Sequence, residues 1–352
     1  SYFYPSVSGS VVFTELLPKN DVLTFGKVRG SWAQVGKDAS PYSTNTYLWG
    51  IQVVNGEFQG VGNSWTGGSP YLLPEIQTSW EVGAELKFFN GRLGVDYTYY
   101  QSETSNQIVA PRLCQSTGYI FVKQNSGSVK NKGMELMITG TPVDTKDVTW
   151  DLTLNLSGNR GTLGDFVEGV DYFYVTSTQI GGVKAASIPN GGYFLGLTGN
   201  KWLRETDADG KEIADGRYLV DSKTGLYKLA GNQGNIVGNR EPKMIGGLTS
   251  SFRWKDLSFS FLLDLRLGGD VYSGTQYYLT TLGQSERTLD RQSVTVTGLD
   301  SETKEPVKFE YKAGEMYNIN GNRRSGEYMI QEYWSNYSSN AYNFLTDVNW
   351  LK

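Results

Sequence analysis

Two acidic clusters in the sequence have spacings that could support chemistry, and the first is a pair of glutamates. Glu81 and Glu85 share one face of a predicted strand, four residues apart. Paired carboxylates hydrolyse glycosidic bonds when they flank the scissile bond at a suitable separation. Lys87 lies on the same face, and other strands carry similar charges at alternate positions. We therefore interpret the pair as part of a charged strand face, and we expect the protein not to be an enzyme.

The second acidic cluster has the spacing of a calcium-binding loop. It is ETDADGKEIADG, from Glu205 to Gly216, with Asp207, Asp209 and Gly210 in its first half. A calcium loop ends with a bidentate glutamate at its twelfth position, and counting from Glu205 that position holds Gly216. The segment is therefore predicted to be a polar turn, and we expect no metal site.

The residues that most catalytic and metal sites need are missing or isolated. The sequence contains no histidine, which excludes Ser–His–Asp and Cys–His catalysis and the commonest zinc ligand. Cys114 is the single cysteine, so no disulfide can form within the chain. The net charge is −4 and the basic residues are dispersed, which gives no indication of nucleic-acid binding. No cofactor is predicted.

Aromatic residues in polar surroundings are the remaining candidates for ligand binding. An aromatic ring can stack on a sugar ring or on a peptide side chain, but it can equally pack loops together or contact a partner protein. Both interpretations stay open for each residue. The candidates for substrate contact are Trp49, Trp65, Tyr71, Trp202, Tyr277 and Tyr278, with the three tryptophans placed first.

The elements that position these residues are predicted to be long β-strands. In WDLTLNLSGNR, from Trp150 to Arg160, apolar and polar residues alternate, as they do on the two faces of a strand. The chain has 43 glycines and 23 tyrosines, and no window of about 20 apolar residues that could form a transmembrane helix. An all-β fold is predicted, with strands near the length that crosses a bilayer. They are expected at about 2–14, 23–35, 76–89, 92–101, 130–140, 148–158, 243–254 and 257–267.

The links between these strands alternate between short and long. The short ones are LLPKND, Asn90-Gly91, PVDTKD and Lys255-Asp256, and the long ones span about 36–75, 104–124, 160–241 and 268–350. In an up-and-down antiparallel barrel, alternate links lie at the same end, and outer-membrane barrels have short periplasmic turns and long extracellular loops. Trp80, Trp150 and Trp254 are expected near the short turns, as an aromatic girdle at one membrane interface.

The polar faces of the strands allow two interpretations. In a membrane barrel they face a water-filled lumen or a plug, and in a soluble β-sandwich they form the solvated outer surface. The barrel interpretation is favoured because a sandwich does not account for the alternating link lengths. It predicts that the following charges face the lumen: Glu81, Glu85, Arg92, Asp96, Asp151, Arg253, Asp264 and Arg266.

The two ends of the chain suggest a piece of a longer protein. SYFYPSVSGSVVF at the beginning already reads as a strand, with no signal-peptide pattern, and the chain stops at NWLK without a closing element. We therefore expect a larger parent chain.

Several blocks of the sequence resemble SusC/RagA-type TonB-dependent transporters. The most specific is GNREPKMIGGLTSSFRWKDLSFSFLLDLRLGGDVY, from Gly238 to Tyr272, and NSGSVKNKGMEL, from Asn125 to Leu136, resembles another block. VRGSWAQVG and PEIQTSWEVGAELKFFNGRLGVDYTYY are similar to two more, in the family's order. The resemblance implies the C-terminal part of a 22-stranded plugged barrel, without its plug, early strands and last strands.

The same resemblance implies a function and a location. The family takes up nutrient oligosaccharides or peptides across the outer membrane of Bacteroidetes-type bacteria. A SusD-like lipoprotein would be the partner at the cell surface, and the TonB–ExbB–ExbD complex would act through the missing N-terminal region. The alternatives are a soluble carbohydrate-binding β-sandwich and a passive porin-like channel.

Overall fold

A sheet of nine antiparallel strands dominates the structure. The computed structural model describes residues 3–54, 58–112, 114–166, 172–189, 192–231 and 234–352. The strands follow one another across the sheet in chain order. They are β1 (Ser6–Val12), β2 (Leu23–Lys37), β3 (Glu75–Phe88), β4 (Leu93–Ser105), β5 (Ser128–Asp144), β6 (Val148–Gly164), β7 (Met244–Trp254), β8 (Leu257–Leu267) and β9 (Trp350–Leu351). The all-β, antiparallel class predicted from the sequence is confirmed.

Several strands continue beyond the alternating segments from which they were predicted. β4 extends to Ser105 and β6 to Gly164, and residues 128–134 of β5 pair with 158–164 of β6. The extension of β4, residues 102–105, is polar, and the extension of β6, residues 159–164, is mostly polar and contains two glycines. They remain extended because pairing satisfies the backbone N–H and C=O groups, and that requirement does not depend on apolar side chains.

The links between strands divide the sheet into two ends. Because neighbouring strands are antiparallel, alternate links lie at the same end of the sheet. The turn end carries residues 13–22, 89–92, 145–147 and 255–256, and the loop end carries residues 38–74, 106–127, 165–243 and 268–349. The turn predicted at Asn90-Gly91 is wider than two residues, since Phe88 pairs with Leu93. Phe89, Asn90 and Gly91 all have positive φ, at 52°, 55° and 87°.

The apolar residues of the sheet form one continuous face that stays uncovered. The register places Val82 opposite Tyr99, Leu136 opposite Leu156, and Phe252 opposite Phe259. Val82 and Phe259 are 49% and 63% exposed. A sandwich would bury this face against a second sheet, and soluble proteins rarely expose contiguous apolar patches of more than a few hundred Å². The sandwich alternative is therefore wrong for this sheet.

Two of the three tryptophans expected near the short turns lie there. Trp254 ends β7 beside its turn, and Trp150 is the third residue of β6, where its Nε1 donates to Ser250 Oγ at 3.0 Å. Trp80 does not. It lies eight residues before the end of β3 and pairs with Trp32, because the alternating face of β3 continues well past the turn end. The expectation for Trp80 is corrected accordingly.

The third and fourth long links fold together into one body, which we call the loop unit (residues 165–243 and 268–349). Leu219–Asp221 from the third link runs parallel to Ser293–Asp300 from the fourth. A buried cluster joins both links, with Val220 and Leu226 from the third and Val296, Tyr311 and Met329 from the fourth. What the sequence suggested to be long loops is therefore a packed unit with its own core.

The loop unit also contains both α-helices found in the described residues. They are α1 (Gly274–Thr281) and α2 (Gly326–Ser339), and each is preceded by an N-cap serine whose side chain accepts a hydrogen bond from the first turn. No helix in the described part of the chain is long and apolar enough to cross a membrane. The remaining strands of the loop unit are Phe173–Ile180, Val183–Ser187, Gly196–Gly199, Leu219–Asp221, Leu226–Tyr227, Asn235–Asn239, Asp270–Tyr272, Ser293–Asp300, Pro306–Lys312, Met316–Ile319, Asn322–Ser325 and Leu345–Asp347.

The first two long links carry short strands of their own. Thr66–Gly67 of the first link runs parallel to Phe121–Val122 of the second, so these links are also joined. The other strands here are Leu48–Val54, Phe58–Asn63, Ile108–Val109 and Gln124–Asn125. The 3₁₀ helices within the described ranges are Phe13–Leu16, Gln115–Thr117, Glu286–Thr288 and Ala341–Phe344.

Asp300 ties the two halves of the loop unit together and gives it a pH dependence. Its carboxylate accepts hydrogen bonds from Ser222 Oγ and from the backbone N–H groups of Glu302 at 2.8 Å and Thr303 at 2.7 Å. These bonds, the one from Ser222 first, lower the pKa of Asp300 to about 2. Because the folded pKa lies below the unfolded value of about 3.9, this contribution to stability is present above pH 4 and is lost as the pH falls toward 2.

Asp300→Asn is expected to lower the melting temperature of the loop unit at pH 7 and to leave it nearly unchanged at pH 2. The substitution keeps one acceptor oxygen for the two backbone N–H groups but removes the charge. The measurement is thermal unfolding of wild type and variant between pH 7 and pH 2, and the informative quantity is the difference between them. A difference that stays constant over this range would show that the charge of Asp300 does not stabilise the fold.

Candidate functional site

The polar face of the sheet is concave. Arg29 on β2 and Asp264 on β8 line the same cavity, whose volume is about 730 Å³, although six strand positions separate them. Asp96, Glu135 and Asn155 from the intervening strands line it too. A flat sheet could not bring its second and eighth strands to one cavity, so the sheet curls toward its polar face.

Arg29 and Asp96 form a bidentate ion pair on this concave face. Arg29 Nη2 donates to Asp96 Oδ1 at 2.6 Å and Nη1 donates to Oδ2 at 3.0 Å. The same guanidinium donates to Thr98 Oγ1 at 2.7 Å. Arg29 crosses β3 to reach them over Gly83, where a Cβ atom would lie 2.8 Å from Arg29 Nε. The sequence prediction contained Asp96 but missed Arg29, although the alternation around Val28 places Arg29 on the polar face.

Arg29 and Asp96 are expected to show a coupling energy of about 1 kcal/mol in a double-mutant cycle, since both side chains are partly exposed. The cycle uses Arg29→Met and Asp96→Asn, with denaturant unfolding as the measurement. In a Gly83→Val background the added side chain displaces the guanidinium, so the coupling should disappear. Equal coupling in both backgrounds would contradict the geometry described here.

The predicted carboxylate pair has neither the spacing nor the surroundings of a hydrolytic site. Along a strand, four residues separate Glu81 and Glu85 by roughly 13 Å between Cα atoms, whereas glycosidase carboxyl groups lie about 5–9.5 Å apart. Glu85 Oε1 forms an ion pair with Lys87 Nζ at 3.2 Å. Glu81 is exposed and pairs in the sheet with Ser31. The pair therefore belongs to the charged strand face.

Three of the other predicted charges contact neighbours at or near the turn end. The bonds run from Thr141 Oγ1 to Asp151 Oδ1 at 2.7 Å, from Arg253 Nη2 to Thr149 Oγ1 at 2.7 Å, and from Arg92 Nη2 to the Pro142 carbonyl at 3.1 Å. Arg92 lies in the turn at 89–92 and not on a strand, so it belongs to the rim of the concave face. The backbone of Asp264 pairs with Lys352 at the other end of β8.

Hydrogen bonds at the loop end fix the loop unit to the sheet. Glu241 Oε1 accepts from Asn159 Nδ2 at 3.0 Å and from the Gly161 backbone N–H at 2.7 Å, so it binds β6. Arg266, a predicted polar-face charge, donates from β8 to the Arg240 carbonyl at 3.2 Å. Arg240 and Glu241 belong to the GNREP part of the block quoted above, and Arg266 directly precedes its LGGD part. They hold the loop unit in a fixed position at the loop end of the concave face.

Trp202 is buried in an aromatic cluster and not available to a ligand in this structure. It is 6% exposed, and its ring centroid lies 4.2 Å from that of Tyr227 and 5.2 Å from that of Tyr218. Its Nε1 donates to the Asn336 carbonyl at 3.3 Å. This is the loop-packing alternative that the sequence left open, and Trp202 is not carried forward as a substrate contact.

The other candidate aromatics differ in exposure. Trp65, Tyr71 and Tyr278 are 64%, 87% and 54% exposed, all at the loop end. Tyr277 is half-buried against other rings, with its centroid 5.7 Å from that of Phe344. The side chain of Trp49 lies outside the described residues. The exposed rings come from both the first long link and α1.

The segment with calcium-like spacing is a hydrogen-bonded turn. Asp207 Oδ1 accepts from the backbone N–H groups of Asp209 at 3.1 Å and Lys211 at 2.8 Å, and Gly210 has a φ of 78°. The carboxylate therefore stabilises the turn itself. Among the described residues, no group of three or more histidine, cysteine or acidic side chains is arranged to hold a metal ion.

The single curved layer, with its apolar outer face and charged inner face, defines the wall of a membrane-type β-barrel. The sequence profile of the family described as TonB-dependent receptor-like, beta-barrel, matches residues 1–272. Because this match covers more than half of the 352 residues, the chain belongs to that family. The resemblance to SusC/RagA-type transporters inferred from the sequence blocks is confirmed.

Curated relatives support the same family. The chain is 29% identical over 293 residues to TonB-dependent receptor P26 of Formosa agariphila, a match that covers 77% of this chain and 28% of that protein. It is 28% identical over 204 residues to TonB-dependent receptor SusC of Bacteroides thetaiotaomicron, covering 56% of this chain and 20% of that protein. The chain therefore spans less than a third of the length of either relative.

Solved structures show the same fold. The RagAB peptide transporter is similar with a TM-score of 0.64 and 16% identity, over 92% of this chain and 41% of that chain. The RagAB peptide importer in the closed-closed state is similar with a TM-score of 0.62, also at 16% identity, over 93% of this chain and 41% of that chain. At this identity the likeness establishes the fold alone.

Proposed function

We propose that this chain is part of the barrel wall of a TonB-dependent transporter that imports a nutrient oligosaccharide or peptide. The observation that carries the proposal is the curved single-layered sheet, apolar and uncovered outside, and charged and hydrogen-bonded inside. The outer face would contact lipid, because lipid is the environment that leaves such a face stable. The inner face would line a plug and a water-filled path.

The two ends of the sheet define its orientation in this proposal. The turn end would face the periplasm and the loop end the cell surface, as in outer-membrane barrels generally. The membrane would be the outer membrane of a Bacteroidetes-type bacterium, in keeping with relatives from Formosa and Bacteroides. Residues 1–352 would then form part of one barrel domain, with the loop unit on the extracellular side.

The partners follow from the family resemblance. A SusD-like lipoprotein would cover the loop end, and the exposed rings of Trp65 and Tyr71 give that end an aromatic surface for solute or partner. The TonB–ExbB–ExbD complex would supply the energy through a plug in the parent protein. The charged concave face, which carries the Arg29–Asp96 pair, would line the inside of the barrel and would not move during transport.

Uptake by cells tests this function. A Bacteroidetes host carrying the parent gene is supplied with labelled oligosaccharides and peptides, with and without deletion of that gene and of tonB. We expect to recover the protein from the detergent-extracted outer membrane together with a lipoprotein. We also expect that deletion of the parent gene or of tonB abolishes uptake. Uptake that survives tonB deletion would identify a passive porin-like channel, and recovery in a soluble fraction would contradict a membrane function altogether.

A further inference from the structure

The uncovered apolar face of the sheet ends, toward the loop end, at a row of aromatic and polar residues. Cross-strand pairing connects this row from Trp32 on β2 through Trp80 and Gln101 to Lys132 on β5 and Arg160 on β6. Each of these residues lies an even number of positions from apolar residues of its own strand, so all five side chains project from the outer face. The row therefore has two tryptophans at one side and two cations at the other.

This row lies at the height where the hydrocarbon of a bilayer would end. Along β6, Arg160 follows Trp150, a residue beside the turn end, by ten positions. At about 3.3 Å per residue and a strand tilt of about 40°, that is roughly 25 Å along the membrane normal, the height of the apolar band in outer-membrane barrels. The ring centroids of Trp80 and Tyr99 lie 5.4 Å apart, and such rings concentrate at the interface between lipid and water. In the proposed orientation, the row lies at the level of the lipid head groups on the loop side.

The cations near this row form a basic patch (Lys130, Lys132 and Arg160) with an excess of positive charge. Lys132 and Arg160 are exposed and lie directly opposite each other across β5 and β6. Within the described part of the chain neither of them forms an ion pair, whereas Lys130 Nζ pairs with Glu103 Oε1 at 3.2 Å. Like charges directly opposite each other in a sheet repel. An anion bound between Lys132 and Arg160 would remove this repulsion.

We propose that the basic patch binds the phosphate group of an anionic lipid in the outer leaflet of the membrane. The guanidinium of Arg160 can donate two parallel hydrogen bonds to phosphate oxygens, and Lys132 adds a point charge. The acyl chains of the same lipid would lie on the apolar face below the patch, where Met134 is 52% exposed. A soluble anion would use the charges alone, so the adjoining apolar surface favours a lipid. This inference rests on the proposed function, because it requires the outer face to lie in a membrane.

Lipid titration of the full-length parent protein tests the basic patch. The protein, purified in a neutral detergent, is titrated with monophosphoryl lipid A, a phosphorylated glycolipid, and native mass spectrometry measures the bound fraction. Fully dephosphorylated lipid A and inorganic phosphate serve as comparison probes. We expect Lys132→Gln and Arg160→Gln each to weaken binding of the phosphorylated lipid about 5-fold, and the double variant about 25-fold, which is the usual effect of basic residues at a membrane surface.

Two further variants control for charge and for folding. Glu103→Gln releases Lys130 from its ion pair, so it should strengthen lipid binding, a result that damage to the fold cannot produce. A double variant, Lys27→Gln with Lys146→Gln, removes the same total charge as the main double variant. Lys27 lies beside Arg29 on the concave face and Lys146 lies in a short turn, so this control should bind lipid as the wild type does.

Several outcomes would overturn the lipid site. One is equal binding of the phosphorylated and dephosphorylated lipids, and another is full binding by the main double variant. Inorganic phosphate that binds alone, and is lost in the same variants, would make the patch a site for soluble anions. Loss of the co-purifying lipoprotein with lipid binding intact would make it a protein interface. If lipid fails to bind while uptake remains TonB-dependent, the lipid site is refuted and the import proposal stands. Lipid binding as expected, together with uptake that survives tonB deletion, would refute the import proposal and leave the lipid site.

Discussion

Leu154→Arg is expected to remove the protein almost completely from the folded outer-membrane fraction. Leu154 lies on the apolar face near the middle of the apolar part of β6, paired with Ile138 on β5 and Leu248 on β7. If that face contacts lipid, a guanidinium there must enter hydrocarbon, at a cost of about 2–4 kcal/mol near the bilayer midplane. The measurement is the fraction of protein that migrates as folded barrel without heating, in isolated outer membranes.

The neighbouring residue supplies a matched control. Thr153 lies on the concave face, between Thr139 and Thr249, so Thr153→Arg places the same side chain in the aqueous lumen. Its folded fraction should stay close to that of wild type, since lumen-facing charges alter selectivity more than assembly. Equal losses from both substitutions would mean that strand pairing alone is being disturbed. Equal tolerance would remove the support for a lipid-facing surface.

Much of the sheet was predictable because alternation is a local property. Because successive side chains of a strand point to opposite faces, the alternation of apolar and polar residues predicts the face on which Leu154 or Asp96 lies. The lengths of the links between strands then distinguish the turn end of the sheet from its loop end. What alternation could not give is the pairing across strands. The contact between Arg29 and Asp96 depends on β2 and β4 flanking β3 and on the absence of a side chain at Gly83.

The loop unit was not predictable, for a different physical reason. Its core joins segments far apart in the chain, such as Val220 with Val296, and most of its strands have five residues or fewer, which is too short to show a period. An aromatic residue in a polar stretch looks the same whether it packs in that core or faces solvent. Trp202 and Trp65 therefore appeared as equal candidates, although their burial in the fold is opposite.

Trp202→Ala is expected to destabilise the loop unit by about 3–5 kcal/mol, the usual cost of removing a buried tryptophan. The ring fills a space between Tyr218 and Tyr227 of the third link and Tyr337 of α2, so its loss separates the two links. The unpaired Asn336 carbonyl adds to the cost. Hydrogen exchange should show strongly increased exchange over residues 201–230 and 326–340, with the nine-stranded sheet unchanged.

Trp65→Ala separates the packing role of an aromatic residue from a binding role. The Trp65 ring is largely exposed, and the local fold depends on its backbone carbonyl, which accepts from Ile120 and Phe121, each at 2.9 Å. Hydrogen exchange in the variant should therefore remain as in wild type, and the free energy of unfolding should change by less than about 0.5 kcal/mol. If the ring contacts the solute or the lipoprotein, the affinity for that ligand should fall. The reverse pattern, in which Trp202→Ala lowers affinity without increasing exchange, would make Trp202 a ligand contact and would overturn the burial argument. The two tryptophans thus test whether burial in the loop unit distinguishes structural aromatics from functional ones.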